Sequence, residues 1–366
     1  MFDIKKLNAS QQQAVESHSQ YLRIIAGAGS GKTLVLINRI VYLIQKIGVA
    51  PRHILAITFT NKAANEMKDR IALALKDQAA HVFISTIHAF CVRILREDIG
   101  VLGWPRNFTV LDRDDQRTLL KQAYRELNME PQQFSYSSMR NYISNNKVAR
   151  ISIDHAKTLA GKHPNEKLMA KVYEYYIHKC ETSYWLDFDD LLLKAVDLLK
   201  FSSHVREKWQ RRFEYIHVDE FQDVDHVQYD LLKLLKSQTN SFYVVGDPDQ
   251  TIYTWRGADV NIILDFEKDF SPCETIILNE NYRSTPSILK GANALISNNK
   301  YRVAKDLYTN QKDVQKIKHV QLENETMESQ WIASQLVELN RQGISYRQCA
   351  VLYRSNYLSR NIEKSL

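Results

Sequence analysis

Glycine and proline are scarce in this chain of 366 residues, which contains 11 of the first and 7 of the second. No low-complexity segment and no repeat of about 20–50 residues is present, so a repeat architecture is not indicated. Against that background, Gly27, Gly29 and Gly31 fall within five positions. This clustering of glycines indicates a site where the backbone has to be free of side chains.

Cysteine is also rare. The four cysteines, Cys91, Cys180, Cys273 and Cys349, follow no CxxC or metal-ligand spacing. This pattern argues against a structural zinc site and favours reduced thiols over disulfides.

Long hydrophobic runs are missing. The most apolar stretch, "LVLINRIVYLIQ" (34–45), is interrupted by Asn38 and Arg39 and is too short to cross a bilayer. The first residues, "MFDIKKLNAS", lack the apolar core and cleavage site of a signal peptide. We therefore expect a cytoplasmic protein with no membrane partner.

The remaining composition is that of a globular protein. Hydrophobic residues make up 44% and charged residues 25% of the chain, and its length predicts two or three folding units. The net charge of +7 is compatible with a polyanionic partner but does not require one.

Short apolar runs indicate the fold class. Most are followed by a polar or glycine-containing turn and then by helical periodicity, which predicts an α/β fold with a parallel sheet. The predicted strands are "YLRIIA" (21–26), "HILAITF" (53–59), "YIHVD" (215–219), "FYVVGD" (242–247) and "ETIIL" (274–278).

The pattern changes between residues 90 and 190, where strand-like runs disappear and apolar residues recur at helical spacing. We expect a helical insertion of about 100 residues. Residues 131–180 hold 8 Lys or Arg against 3 Asp or Glu, which fits either a solvated helical face or a surface for nucleic acid. Beyond residue 280 a further unit is predicted, with a helix in "MESQWIASQLVELNRQG" (327–343) and a strand in "CAVLYR" (349–354).

The three glycines belong to "AGAGSGKT", which lies between an apolar strand and a helical run, as a P-loop requires. Backbone N–H groups of small residues surround an anion there, and the helix N-terminus adds its positive end. Lys32 is then expected to reach the β- and γ-phosphates of ATP, and the Thr33 hydroxyl to bind Mg²⁺. The predicted phosphate-binding residues are Ala26 (where the pattern has glycine), Gly27, Ala28, Gly29, Ser30, Gly31, Lys32 and Thr33.

Two further strand ends carry acidic and amide side chains. "YIHVDEFQD" places Asp219 to hold Mg²⁺ through water and Glu220 to orient and deprotonate the attacking water. "VVGDPDQ" ends another strand, and Gln250 there is a candidate sensor of the γ-phosphate, with an ordinary polar turn as the alternative.

Together these motifs resemble the UvrD/Rep/PcrA family of superfamily-one DNA helicases, in order and over essentially the whole chain. The resemblance includes "LNASQQQAV", "ITFTNKAANEM", "STIHAF", "VDEFQD", "GDPDQTIYTWRGA", "LNENYRST" and "AVLYRSN". It is weakest in the helical insertion. Leu34 departs from the pattern, because many members have arginine directly after GKT.

The resemblance implies further nucleotide contacts. Gln11, 21 residues before Lys32, is expected to read the adenine edge, Tyr282 to stack on adenine, and Arg283 to act as an arginine finger. It also implies a RecA-like P-loop NTPase domain with a parallel sheet, a helical insertion domain and an incomplete second RecA-like domain. The expected bounds are 1–90 and 185–280 for the first domain, 91–184 for the insertion and 281–366 for the second.

The resemblance further implies a path for single-stranded DNA. Aromatic side chains can stack on unpaired bases of any sequence. Two aromatic residues spaced like Tyr253 and Trp255 more often belong to a hydrophobic core when they are considered without the resemblance. A histidine such as His88, taken alone, is more often a structural residue than a DNA contact. The expected DNA contacts are Phe59, Thr60, Asn61, His88, Tyr253, Trp255, Arg256 and Arg354.

The function expected is an ATP-dependent, Mg²⁺-dependent translocase or helicase that acts 3′→5′ on single-stranded DNA and on single-strand/double-strand junctions, as a monomer. The chain is expected to be the N-terminal portion of such an enzyme, with weak ATPase activity and no processive unwinding. Two alternatives stay open: a motor subunit of a helicase–nuclease complex, and a DNA-binding P-loop scaffold without productive hydrolysis.

Overall fold

The computed structural model describes residues 4–299, 302–312 and 316–366. The chain divides into two compact units, residues 1–312 and residues 313–366. Strands occur in the larger unit, and their bounds are β1 (Tyr21–Ala26), β2 (Ile54–Thr58), β3 (Phe83–Thr86), β4 (Thr109–Val110), β5 (Trp185–Leu186), β6 (Tyr215–Val218), β7 (Ser241–Gly246) and β8 (Cys273–Leu278).

The central sheet has the strand order β3-β2-β6-β7-β1-β8, and each neighbouring pair is parallel. The predicted α/β class and the five predicted strands are confirmed, with ends shifted by at most one residue. The sequence did not predict β3. Its four residues are only partly buried apart from Ile84, so they form no apolar run.

Side-chain alternation gives the sheet a hydrophobic core on each face. In β1, Tyr21 and Ile25 point into one core, whereas Leu22 and Ile24 point into the other. Both faces are covered by helices, which explains why these strands read as continuous apolar runs.

Helices cover the sheet and form the insertion. Those of the larger unit are α1 (Ala9–Glu16), α2 (Lys32–Tyr42), α3 (Asn61–Leu75), α4 (Ile87–Asp98), α5 (Arg113–Glu126), α6 (Tyr136–Val148), α7 (Ile153–Leu159), α8 (Pro164–Thr182), α9 (Phe188–Phe201), α10 (Ser203–Arg212), α11 (His226–Leu235), α12 (Val260–Leu264), α13 (Phe266–Asp269) and α14 (Pro286–Ile296).

The helices α5 to α8 enclose a separate hydrophobic core, as a helical insertion predicts. Its members include Leu120, Tyr124, Met139 and Tyr176. The insertion begins and ends at β4 and β5, which pair with each other. Helix α4 packs instead in the core of the sheet, through Cys91 and its neighbours.

A buried ion network joins the insertion to the helix that follows it. The Lys147 ammonium on α6 donates to Asp187 Oδ2 at 2.7 Å and to Asp190 Oδ2 at 2.8 Å. Tyr176 on α8 donates to the same Asp187 oxygen at 2.9 Å. Asp187 also caps α9 by accepting from Asp190 N–H. Since α9 packs in the hydrophobic core that covers one face of the sheet, this network fixes the insertion to the sheet domain.

The smaller unit contains α15 (Glu325–Arg341) and α16 (Ser359–Ser365), which pack together, with Ser365 donating to Ser329 at 3.0 Å. The helix predicted at 327–343 is confirmed. The strand predicted at 349–354 is wrong: these residues form no ladder, and Leu352 is 93% exposed. A strand needs a paired neighbour, and no other strand occurs among the described residues of this unit.

Among the described residues, no helix combines the length and the apolar character needed to cross a membrane.

Replacing Lys147 by Met is expected to destabilise the protein by about 3–5 kcal/mol, because Asp187 and Asp190 lose their buried counter-charge. The matched control is Lys157→Met, whose partner Glu174 is about as exposed as the lysine itself, and it should cost about 0–1 kcal/mol. Urea unfolding followed by circular dichroism measures both variants. Equal shifts would contradict the structural role of Lys147.

Candidate functional site

The P-loop connects β1 to α2 at the carboxyl edge of the sheet. Gly29 (φ +67°) and Gly31 (φ +86°) adopt left-handed backbone conformations that side chains disfavour. Gly31 supplies no capping side chain, so the first N–H groups of α2 are available to an anion. The glycine triplet therefore has the backbone geometry that the sequence predicted.

The acid pair follows β6. Asp219 is 6% exposed, and its Oδ2 lies 3.5 Å from Thr33 Oγ1. Glu220 has a left-handed backbone (φ +49°), and its Oε2 lies 3.9 Å from Lys32 Nζ. Burial, and then the neighbouring Glu220, raise the pKa of Asp219 to about 6. The structure thus brings together the four side chains predicted for phosphate, metal and water.

These groups fit a Mg²⁺ ion in their chemistry. Mg²⁺ is usually held by one or two carboxylates together with hydroxyl, phosphate and water oxygens. Thr33 and Asp219 offer such oxygens side by side, and burial raises the pKa of Asp219, so a cation bound beside it would favour the ionised carboxylate. No cluster of three His, Cys, Asp or Glu residues that could hold a metal occurs in the described ranges.

Gln222 links the acid pair to the next strand, although no contact of its own was predicted for it. Its Nε2 donates to Glu220 Oε2 at 2.9 Å and to Asp223 Oδ2 at 3.2 Å, while its Oε1 accepts from Asp247 N–H at 2.9 Å. The side chain is 2% exposed. Its position in the "DEFQD" run was the signal available.

Gln250 lies in a short 3₁₀ turn after β7, and its Nε2 donates to Asp247 Oδ2. It lines a cleft of about 330 Å³ together with Thr33, Asp219 and Glu220. The candidate γ-phosphate sensor therefore faces the same space as the acid pair.

The segment after β8 packs on the P-loop. Asn281 Nδ2 donates to Ala28 O at 2.6 Å, and Tyr282 N–H donates to Gly29 O at 3.0 Å. Tyr282 is 47% exposed, and Arg283 is exposed beside it. A Cβ atom at Gly29 would lie 2.6 Å from Asn281 Nδ2, so the loop must be glycine here.

Gln11 is held against the P-loop rather than exposed to a base. Its Nε2 donates to Ser30 O at 3.0 Å, its Oε1 accepts from Asn8 N–H at 3.1 Å, and the residue is 2% exposed. In this conformation both ends of the amide are engaged by the protein.

Aromatic side chains also line this cleft. The Phe59 and Tyr253 rings stack with centroids 4.6 Å apart, and both residues, with Thr60, border the cleft. Trp255 is 71% exposed, which excludes a core role for it. The Arg256 guanidinium lies 4.7 Å from the centre of the Trp255 ring.

The remaining predicted DNA contacts do not line the cleft. Asn61 is exposed at the start of α3, and Arg354 is exposed in the smaller unit. His88 is half-buried, and burial lowers its pKa, so its ring is neutral at pH 7. Its ring meets the edge of Phe188, which is 49% exposed and which the sequence analysis did not select.

Comparison with protein families gives two matches. The UvrD/REP helicase N-terminal domain matches residues 7–271, and the UvrD-like helicase C-terminal domain matches residues 276–366. The chain belongs to the UvrD/Rep helicase family.

Three relatives are named ATP-dependent DNA helicase PcrA. The protein from Leuconostoc citreum is 43% identical over 98% of this chain, and that from Bacillus subtilis (strain 168) is 44% identical over 98%. The protein from Staphylococcus aureus (strain Mu50 / ATCC 700699) is 41% identical over 99%. These alignments cover 48%, 49% and 50% of the respective relatives, so the chain spans about half the length of the curated relatives it matches.

Replacing Asp219 by Asn is expected to raise the free energy of unfolding of the ligand-free protein at pH 7.5 by on the order of 2 kcal/mol. The folded-state pKa of Asp219, about 6, lies above its ordinary value of 3.8, so ionisation in the folded state is unfavourable. This gain in stability over the wild type is complete above pH 6. It should shrink toward pH 4.5, because the Asp219 carboxyl of the folded wild type is then protonated and no longer destabilising.

Urea midpoints at both pH values measure this effect. Asp69→Asn, at an exposed position of α3, is the control and should leave the midpoint unchanged. A lower midpoint for Asp219→Asn at pH 7.5 would contradict the expectation.

Proposed function

We propose that the chain binds and hydrolyses ATP with Mg²⁺ and couples hydrolysis to movement along single-stranded DNA, as part of an ATP-dependent DNA helicase. One observation carries this proposal. A single cleft is lined both by the phosphate-site residues Thr33, Asp219, Glu220 and Gln250 and by the stacked aromatic pair of Phe59 and Tyr253.

The arrangement of the side chains supports the proposed hydrolytic roles. The P-loop N–H groups and Lys32 would hold the β- and γ-phosphates, and Arg283, in the segment packed on the loop, would contact the γ-phosphate. Thr33 and Asp219 would hold Mg²⁺, which would supply positive charge to the phosphate oxygens. Glu220 accepts a proton from the water that attacks the γ-phosphorus, and the bond from that phosphorus to the ADP oxygen breaks.

The DNA path is proposed along partly buried and exposed aromatic side chains. Bases stack on Phe59, Tyr253 and Trp255, and Phe188 extends the series beside His88. Because the His88 ring is neutral, it contributes a hydrogen bond rather than a charge to the backbone. Arg256 adds charge, so DNA binding weakens with salt. Movement 3′→5′ and action on single-strand/double-strand junctions are part of the proposal, supported by family membership.

Coupling is proposed through the segment that follows β7. Gln250 and Tyr253 are three positions apart, and the 3₁₀ turns Pro248–Gln250 and Thr254–Arg256 follow each other closely in the chain. A shift of Gln250 toward the γ-phosphate therefore displaces the stacking ring of Tyr253.

Replacing Glu220 by Gln is expected to reduce ATP turnover at least ~100-fold while ATP affinity changes little, because the water loses its base but the P-loop is unaltered. Steady-state hydrolysis by the 366-residue chain, with and without a single-stranded oligonucleotide, measures this. Glu66→Gln, a carboxylate change on the wall of the same cleft, is the control and should retain turnover. Wild-type protein that binds ATP without any hydrolysis would instead favour a scaffold.

Replacing Trp255 by Ala is expected to weaken single-stranded DNA binding by about 1–3 kcal/mol, because one stacking platform is lost. ATP affinity should be unchanged, since the side chain is exposed and does not border the cleft. Fluorescence anisotropy at fixed salt measures the DNA affinity. Phe201→Ala removes an aromatic that is 74% exposed at the far end of α9 and serves as the control. Equal DNA affinity for Trp255→Ala and wild type would contradict a stacking role.

A further inference from the structure

A buried lysine lies behind the candidate γ-phosphate sensor. The Lys305 side chain is 2% exposed, and its ammonium lies 2.8 Å from Asp247 Oδ1 and 2.7 Å from Asp249 Oδ2. The two carboxylates are themselves 3% and 8% exposed. An ammonium withdrawn from water to this extent is stable only when it is paired, and removing one partner leaves an uncompensated buried charge.

Asp247 connects Lys305 to Gln250. One carboxylate oxygen, Oδ1, contacts Lys305, and the other, Oδ2, accepts from Gln250 Nε2. An ionised carboxylate only accepts hydrogen bonds, so the amide must turn its NH₂ group toward Asp247. Oε1 of Gln250 is therefore left as the end that can accept a hydrogen bond in the cleft, which Gln250 lines.

The segment that carries Lys305 also contacts the P-loop. A Cβ atom at Gly27 would lie 2.2 Å from a methyl carbon of Leu307, so Leu307 covers the loop at that point. Tyr308 O accepts from Asn281 N–H at 2.7 Å, and Asn281 in turn donates to Ala28 O. One short segment thus contacts the sensing turn and, both directly and through Asn281, the phosphate loop.

We propose that Lys305 is a positioning residue for ATP hydrolysis: it fixes the Asp247 carboxylate, which orients Gln250 so that its Oε1 faces the attacking water. This role rests on the proposed function. Lys305 touches neither phosphate nor water in this scheme and acts through Asp247 and Gln250 alone.

The charges around Lys305 indicate which variant to test. Arg302 Nε lies 3.8 Å from Asp249 Oδ2, so two cations face two carboxylates. Lys305→Met alone leaves an excess buried carboxylate and threatens folding. The double variant Lys305→Met/Asp249→Asn removes one charge of each sign, so it preserves the balance while depriving Asp247 of its ammonium.

The test compares the affinity of the full 366-residue chain for Mg²⁺–ADP and for Mg²⁺–ADP–aluminium fluoride, which imitates the phosphoryl group in transfer. The double variant should bind the aluminium fluoride complex about tenfold more weakly, the effect of one misplaced hydrogen bond, and should bind ADP as wild type does. Asp249→Asn alone is the matched control and should lose little in either measurement. Urea midpoints confirm that the variants are folded.

A mutant cycle with Gln250→Ala decides whether Lys305 acts through that residue. In the Gln250→Ala background, the double variant should cause no further loss of aluminium fluoride affinity. Additive losses, or parallel losses for ADP and its aluminium fluoride complex, would overturn the positioning role while leaving the proposed ATPase intact. Wild-type protein that binds neither ligand would overturn the proposed function and the role of Lys305 with it.

Discussion

Parallel pairing of β6, β7 and β1 places the three loops of the candidate site at one edge of the sheet. Neighbouring strands lie about 4.8 Å apart, so β6 and β1, which flank β7, are about 10 Å apart. Asp219 follows β6, Asp247 follows β7 and the P-loop follows β1. In an antiparallel arrangement these ends would alternate between opposite edges, and Thr33 could not approach Asp219. The parallel direction and the order of these strands are therefore the constraint on which the chemistry depends.

The same edge concentrates charge that the ligand-free protein balances only in part. Asp247 and Asp249 are compensated by Lys305, whereas Asp219 has no comparable partner, and burial together with Glu220 raises its pKa to about 6. A site that is electrostatically unfavourable when empty gains more from the binding of a divalent cation. Asp219 thus lowers the stability of the ligand-free protein while it serves the proposed metal site. Lys305, in contrast, both stabilises the fold and supports the proposed chemistry.

The sequence was sufficient where the signal is local. Continuous apolar runs predicted β1, β2, β6, β7 and β8 because strands covered on both faces have no polar alternation. It failed for β3, which is short and partly exposed, and at 349–354, where an apolar run has no strand to pair with among the described residues. The glycine triplet and the acid pair were recognisable for the same reason, since each motif is contiguous in the chain.

Contacts between segments that are distant in the chain could not be predicted from local sequence patterns. Lys305 meets Asp247 across 58 positions of sequence, and nothing in its neighbours indicates burial. Gln11, predicted to read the adenine edge, donates to Ser30 O of the P-loop from 19 positions away, and no motif in the sequence indicates that contact. Such pairings are decided by the tertiary fold rather than by propensity or motif.

The turn after β7 has a particular place in this arrangement. Within residues 247–256 it holds a carboxylate bound to Lys305, the amide of Gln250 and the aromatic side chains of Tyr253 and Trp255. One end of this short segment is anchored by the buried ion pair between Asp247 and Lys305. Gln250, proposed to contact the nucleotide, and Tyr253, proposed to contact DNA, are only three positions apart in the chain, so the proposed coupling requires no long pathway between the two sites.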